Sequence, residues 1–116
     1  MAEIVSAVAK HDVSGVLDKG CEFEGKLTFE GTLRIGGNFK GRIFTHDILV
    51  IGESAKVEAE IEAGIVIITG DVQGNIIAKN RVEIHQPAVF RGNIKTPSLQ
   101  VDEGVIFEGS SQMIRN

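Results

Sequence analysis

Tryptophan and tyrosine are absent from this 116-residue chain, whose only aromatics are six phenylalanines. Without indole or phenol rings it has no face built to stack bases or sugars. Cysteine occurs once, as Cys21, which excludes a disulfide within the chain and a zinc site made from its own thiolates. Two prolines, Pro87 and Pro97, are too few for a Pro-rich linker. The longest apolar runs, Ile48–Ile51 and Ile65–Ile68, are four residues each, far below the roughly 18 that a membrane-spanning helix requires. The opening Met-Ala-Glu-Ile-Val has neither the basic nor the long apolar stretch of a secretory leader, so a reducing cytoplasm is the expected location. An excess of positive charge is missing as well. Twelve Lys and Arg against 16 Asp and Glu leave a net charge of −4, which provides no electrostatic footprint for nucleic acid. The deficit sits in one band, residues 44–70, where Lys56 stands alone against five acids.

What the chain has in quantity is β-branched side chains and glycine. Fifteen Ile and 12 Val outnumber five Leu and eight Ala, and 14 Gly supply tight turns. That mixture suits pleated strands and points to an all-β domain.

A repeat decides which kind. The pattern apolar, x, small, x, apolar recurs as Phe23-Glu-Gly25-Lys-Leu27, Phe39-Lys-Gly41-Arg-Ile43, Val57-Glu-Ala59-Glu-Ile61, Val72-Gln-Gly74-Asn-Ile76 and Phe90-Arg-Gly92-Asn-Ile94, with a degenerate sixth copy from Phe107 to Ser111. Its steps are 16, 18, 15, 18 and 17 residues. A second set of period-2 segments, Leu33–Ile35, Leu49–Ile51, Val66–Ile68, Val82–Ile84 and Leu99–Val101, precedes successive copies, and a third small position follows as Thr45, Ala63, Ala78 and Thr96. A fixed period of this length is the signature of a solenoid. The prediction is a single-domain parallel β-helix of about six rungs, roughly 17 residues per rung, with three short walls per turn. Turns fall at Gly36-Gly37, Gly52, Gly70, Gln86-Pro87 and Asp102-Glu-Gly104. Stacked rungs would set Glu24, Lys40, Glu58, Gln73, Arg91 and Glu108 in one outward column with no like charges adjacent, and Asn75 over Asn93 in the next. Gly or Ala at the motif centre is expected to relieve crowding inside the tube. The β-helix is assigned to residues 13–110, with 1–12 as an N-terminal tail or short amphipathic segment and 111–116 as a short C-terminal tail.

A β-helix needs caps, because a terminal rung exposes unpaired backbone and the cross-section of the core. Seven residues follow Gly109, too few to cover a rung's perimeter. Phe23, Leu27 and Phe29 at the first rung and Leu99, Val101, Ile106 and Phe107 at the last are therefore the expected surfaces for stacking on another copy. Met1, Ile4, Val5 and Val8 have helix-like spacing and form a candidate membrane contact.

On these residues the chain resembles the bactofilins, bacterial polymer-forming cytoskeletal proteins. The carriers are Phe23–Gly31, Leu33–Ile43, Val50-Ile-Gly52 and the Gly-x-Ile elements at Gly74 and Gly92, within a span from about Val13 to Met113. The resemblance implies a right-handed helix that assembles end to end into filaments without nucleotide. It also implies that these filaments scaffold cell-shape and envelope machinery at the inner membrane. On this reading the chain is not an enzyme, needs no cofactor, and has itself as its first partner. The inner-membrane surface and envelope proteins come next.

Catalytic arrangements find little to build on. Cys21 with His11, His46 or His85 has no third, orienting residue in sequence reach, and the histidines lack a metal-ligand spacing. The alternative is a trimeric left-handed β-helix enzyme of the acyltransferase or carbonic anhydrase type. It would use histidine and hold to three hexapeptides, about 18 residues, per turn. Gly15–Gly20 and Gly31–Gly36 have the glycine spacing of a phosphate loop but continue with Cys21 and Gly37 in place of Lys-Ser/Thr. Glu58, Glu60 and Glu62, beside Lys56, are expected on a solvated outer wall.

Overall fold

Alternating β-branched residues make strands, and a period near 17 brings each strand beside its own copy one turn later. The computed structural model describes residues 3–12, 15–17 and 22–113, including the side chains of 22–28 and 31–112, and every regular element among them is a strand. The strands are β1 (Glu3–Asp12), β2 (Gly15–Leu17), β3 (Glu22–Glu30), β4 (Thr32–Ile35), β5 (Asn38–Thr45), β6 (Ile48–Ile51), β7 (Lys56–Ile68), β8 (Asp71–Ile84), β9 (Val89–Thr96), β10 (Leu99–Val101) and β11 (Ile106–Met113). They pair in two parallel stacks. The first wall runs β1, β3, β5, the leading halves of β7 and β8, β9, β11. The second runs β2, β4, β6, the trailing halves of β7 and β8, β10. The chain is thus a parallel β-solenoid, with about five turns between the first and last motif copies.

The register is the predicted one. Phe23, Phe39, Val57, Val72, Phe90 and Phe107 stand above one another, as do Leu27, Ile43, Ile61, Ile76 and Ile94. The third side of each turn is the shortest, and its backbone continues the ladder. Gly52, Thr69, His85 and Asp102 N–H groups donate to Ile35, Ile51, Ile68 and Ile84 carbonyls one turn earlier at 2.8–2.9 Å. Lys56, Asp71, Val89 and Ile106 N–H groups donate to Gly37, Ala55, Gly70 and Ala88 at 3.1–3.2 Å. Because every turn satisfies its backbone on the turn before, no loop has to be long.

The inward rows are sealed. Ile35, Ile51, Ile68 and Ile84, with Phe39 and Phe90, are fully buried, each contributing about 2 kcal/mol of apolar transfer. The third small row, Thr45, Ala63, Ala78 and Thr96, lies at the buried corner between the walls. There Thr45 Oγ1 accepts the Asp47 N–H at 3.1 Å, and Thr96 Oγ1 donates to the Ser98 carbonyl at 3.1 Å, so neither hydroxyl is buried without a partner.

Three expectations change. Residues 3–12 are a strand, not a tail or an amphipathic turn: β1 extends the first wall beyond β3, with Val5 opposite Gly25 and Ala7 opposite Leu27. An open strand edge is a strong template, and so short a segment fits a period of two as well as one of 3.6. At the other end β11 continues through Met113, three residues past the assigned boundary, because Ser111–Met113 pair with Ile94–Thr96. The motif glycines also have a different cause. Gly25, Gly41, Gly74, Gly92 and Gly109 have φ between 134° and 142°, and a Cβ on Gly92 would stand 1.9 Å from the Gly74 carbonyl oxygen. The carbonyl of the turn below occupies the space a side chain needs, so the constraint is backbone conformation and not core volume.

Gly92→Ala therefore combines a forbidden φ with a backbone collision, and should cost about 3 kcal/mol or more. Ala59→Gly, in the one copy without positive φ, should cost no more than about 1 kcal/mol. Thermal unfolding followed by circular dichroism checks both, and equal losses would contradict the account.

Candidate polymer interface

At the C-terminal end of the solenoid, among the described residues, β10 pairs only with β8 and β11 only with β9. Both strands leave one backbone edge open to strand addition. The inward rows also open there. Val82, Ile84 and Phe90 are fully buried, but Leu99 and Phe107, directly above Val82 and Phe90, are half-buried, and Val101, above Ile84, is 43% exposed. The Phe107 ring leans on Phe90 at 5.3 Å between centroids and 31° between planes. Val105 joins them, half-buried and packed against the core, in the place that Ala88 occupies one turn earlier and Ala55 three turns earlier. Sequence reasoning missed Val105, although counting back one period to Ala88 would have found it.

Two expected interface positions move. Ile106, 52% exposed, pairs in register with Val89 in an outward row, because it precedes the inward Phe107 by one residue. It lies on the rim of the end and not in its cross-section. Phe23, Leu27 and Phe29 belong to β3, and β1 stands between that strand and the N-terminal end. The half-buried Phe23 is stacked on Phe39 at 5.4 Å and 10°, Leu27 is half-buried, and the Phe29 side chain lies outside the described residues. Met1 lies outside them too. Ile4, Val5 and Val8 register with Glu24, Gly25 and Thr28, so they occupy three register places of a strand and not one helical face.

A family model described as "Bactofilin: Polymer-forming cytoskeletal" matches residues 15–112. The chain belongs to the bactofilin family. It is 34% identical over 98 residues to bactofilin BacO of Myxococcus xanthus (strain DK1622), covering 84% of this chain and 78% of that one. To bactofilin BacP of the same organism it is 29% identical over 89 residues, 77% of this chain but 37% of the longer relative. The structure of the cytoskeletal bactofilin BacA, determined by solid-state NMR, superposes with a TM-score of 0.72 at 29% identity, covering 99% of this chain and 98% of that one. Family membership and irregular steps of 15 to 18 residues leave the trimeric acyltransferase or carbonic anhydrase reading without support.

The outer surface of this bactofilin is organised by the same register. Lys40 meets Glu58 at 3.9 Å, Arg42 meets Glu60 at 3.2 Å, and Arg91 meets Glu108 at 3.3 Å, each one turn apart. These pairs are exposed, so each contributes at most about 1 kcal/mol. In the column of Glu24, Lys40, Glu58, Gln73, Arg91 and Glu108 no like charges are adjacent, whereas Arg42 has Glu60 on one side and Lys26 on the other. Asn93 Nδ2 donates to Asn75 Oδ1 at 3.3 Å, and Ser110 Oγ continues the ladder to Asn93 Oδ1 at 2.5 Å. Glu58 and Glu60 are thus committed to cations of the same wall. Of the histidines weighed as bases, His46 sits edge-on to Phe44 at 5.2 Å, and His85 lies between two carboxylates. Cys21 lies outside the described residues.

His85 bears on the end surface. Its Nδ1 is 2.8 Å from Asp102 in the last turn, and its Nε2 is 3.3 Å from Glu83, which also holds Arg81 at 2.8 Å. The hydrogen bond to Asp102 raises the His85 pKa. Partial burial opposes it, while the charge of Asp102 and the bond to and charge of Glu83 add to it. A raised folded-state pKa means that the clamp contributes fully below the unfolded value of about 6.5 and is lost as pH rises through the folded value. The difference in melting temperature between the parent and His85→Gln should therefore be largest below about pH 6.5 and shrink above it. A difference that stays constant from acid to alkaline pH would show that His85 draws no stability from its charge.

Proposed function

We propose that this bactofilin is a structural protein that polymerises end to end without nucleotide, with Leu99, Val101, Val105 and Phe107 as one joint face. The observation that carries this is the opening, at one end, of apolar rows that are sealed at the turn below. A second copy placed there would close the rows and continue both ladders. An end-on contact buries on the order of 1,000 Å². At about 60% apolar and roughly 25 cal/mol/Å², the gross gain is about 15 kcal/mol, comparable with the upper estimates of what association costs. Backbone pairing across the joint tips the balance. Nothing in that contact requires a phosphate, a metal or a catalysed reaction. A location in the cytoplasm, at the cytoplasmic face of the inner membrane, with cell-envelope proteins as partners in shaping the cell, belongs to the same reading and rests on the family alone.

Phe107→Lys tests the joint. In the assembled interface an unpaired ammonium costs several kcal/mol, whereas in the free subunit the side chain reaches water from its half-exposed position. Circular dichroism should retain the β-signal while sedimentation loses the polymer. Phe90→Lys, at a fully buried position one turn inside, should lose the fold itself. A Phe107→Lys chain that still pellets like the parent would remove the C-terminal end as a joint. Assembly should also be unchanged by apyrase or EDTA, and a requirement for ATP, GTP or a divalent ion would sink the nucleotide-free mechanism.

A further inference from the structure

The last turn of the second wall, residues 98–105, carries three of the four joint residues, Leu99, Val101 and Val105, and is held by few contacts. Its strand β10 is three residues long and pairs on one side only. No residue of the turn is buried. Its Asp102 N–H donates to the Ile84 carbonyl and its Ser98 carbonyl accepts the Val82 N–H, both at 2.9 Å. Among the described residues, a single side-chain hydrogen bond joins it to the turn below, from His85 Nδ1 to Asp102 at 2.8 Å. A terminal segment with so little burial opens locally at low free energy, so one added tether changes how often it is in place.

That tether sits where it bears on the joint. Asp102 directly follows Val101, which stands over Ile84 in the row that opens at the end. The Gln86 amide fills the space beside Gly104, where a Cβ would stand 2.6 Å from Gln86 Nε2, so the stretch from 102 to 104 rests on residues 85 and 86. Around His85, Glu83 faces it from β8 and is itself held by Arg81, and Asp102 faces it from the last turn, followed by Glu103. Thr69 in the turn below and Gln100 in β10 are uncharged. A charged imidazole donates from both nitrogens and serves both carboxylates, whereas a neutral one has a single N–H for the two. We infer that His85 is a proton-dependent latch on the joint: charged, it pins the last turn in the form on which a second copy stacks, and neutral, it leaves that turn to be ordered by the contact itself. Ordering a segment on association lowers the affinity, so assembly is stronger when the latch is closed. The inference rests on the end-to-end reading with the C-terminal end as a joint.

The test measures the protein left in the supernatant after high-speed sedimentation, at about pH 6 and about pH 8.5, on either side of the range in which the His85 charge is lost. Parent, His85→Gln, Asp102→Asn and His46→Gln are compared, with negative stain to confirm filaments. Circular dichroism should show the parent β-signal in all four, since none of the altered residues is buried. The parent should leave about fivefold more protein unassembled at the higher pH, the order of effect that an exposed charge pair supplies. His85→Gln and Asp102→Asn should leave the larger amount at both pH values. His46→Gln, which removes an equal titrating charge three turns from β11, should keep the parent's ratio. A parent supernatant unchanged between the two pH values, or a His85→Gln chain with the parent's ratio, would overturn the inference. A ratio lost equally in His46→Gln would assign the effect to overall charge, and one kept in Asp102→Asn would show that His85 acts without holding the last turn; either result removes the latch. No parent polymer at either pH, or a Phe107→Lys chain that pellets like the parent, would bring down the end-to-end reading itself, an outcome distinct from all of these.

Discussion

The register between one turn and the next is the constraint from which the rest of the molecule follows. Parallel pairing at about 4.8 Å places each residue over its counterpart about 17 residues earlier, so the chain meets copies of itself at every turn. Isoleucine meets isoleucine inside, and outward charges meet whatever charge the next copy carries. The glycine column shows how strict the register is, since the carbonyl of one turn stands where the next turn's Cβ would be. Ala59 is the exception, and it keeps a negative φ.

This also explains what could be read from the sequence. Spacing alone gave the six motif copies, both walls, the alternating charge column and the asparagine ladder, because a period is visible wherever like stacks on like. It failed where a feature lacks the period's signature. β1 has Glu3 and Val5 at the register places of Phe23 and Gly25, so it does not look like a motif copy. The reason for the glycines lay in φ, which no side-chain pattern reveals. The clamp from His85 to Asp102 is a contact one period long, legible once the register is known but not from either residue alone. The residues expected at the C-terminal end split in the same way: Leu99, Val101 and Phe107 follow from the inward rows, whereas placing Ile106 required knowing which neighbour points inward.

The aromatic column divides the interior along its length. Phe23 and Phe39 stack near one end, Phe90 and Phe107 near the other, and Val57 and Val72 occupy the same row between them. The bulkiest side chains of the core thus lie in the outer turns. The smaller valines fall in the turns whose second wall carries the outward isoleucines at 65 and 67, or adjoins them.

Because each turn contacts only its neighbours, the length of the body is set independently of the design of its ends. Duplicating one internal turn, or deleting it, would leave the terminal surfaces and the remaining pairings as they are, at the cost or gain of one nearest-neighbour interface. A gene encoding such a chain can change the spacing between joints in whole-turn increments without having to re-evolve the joint, so subunit length is a freely adjustable dimension of the fibre it builds.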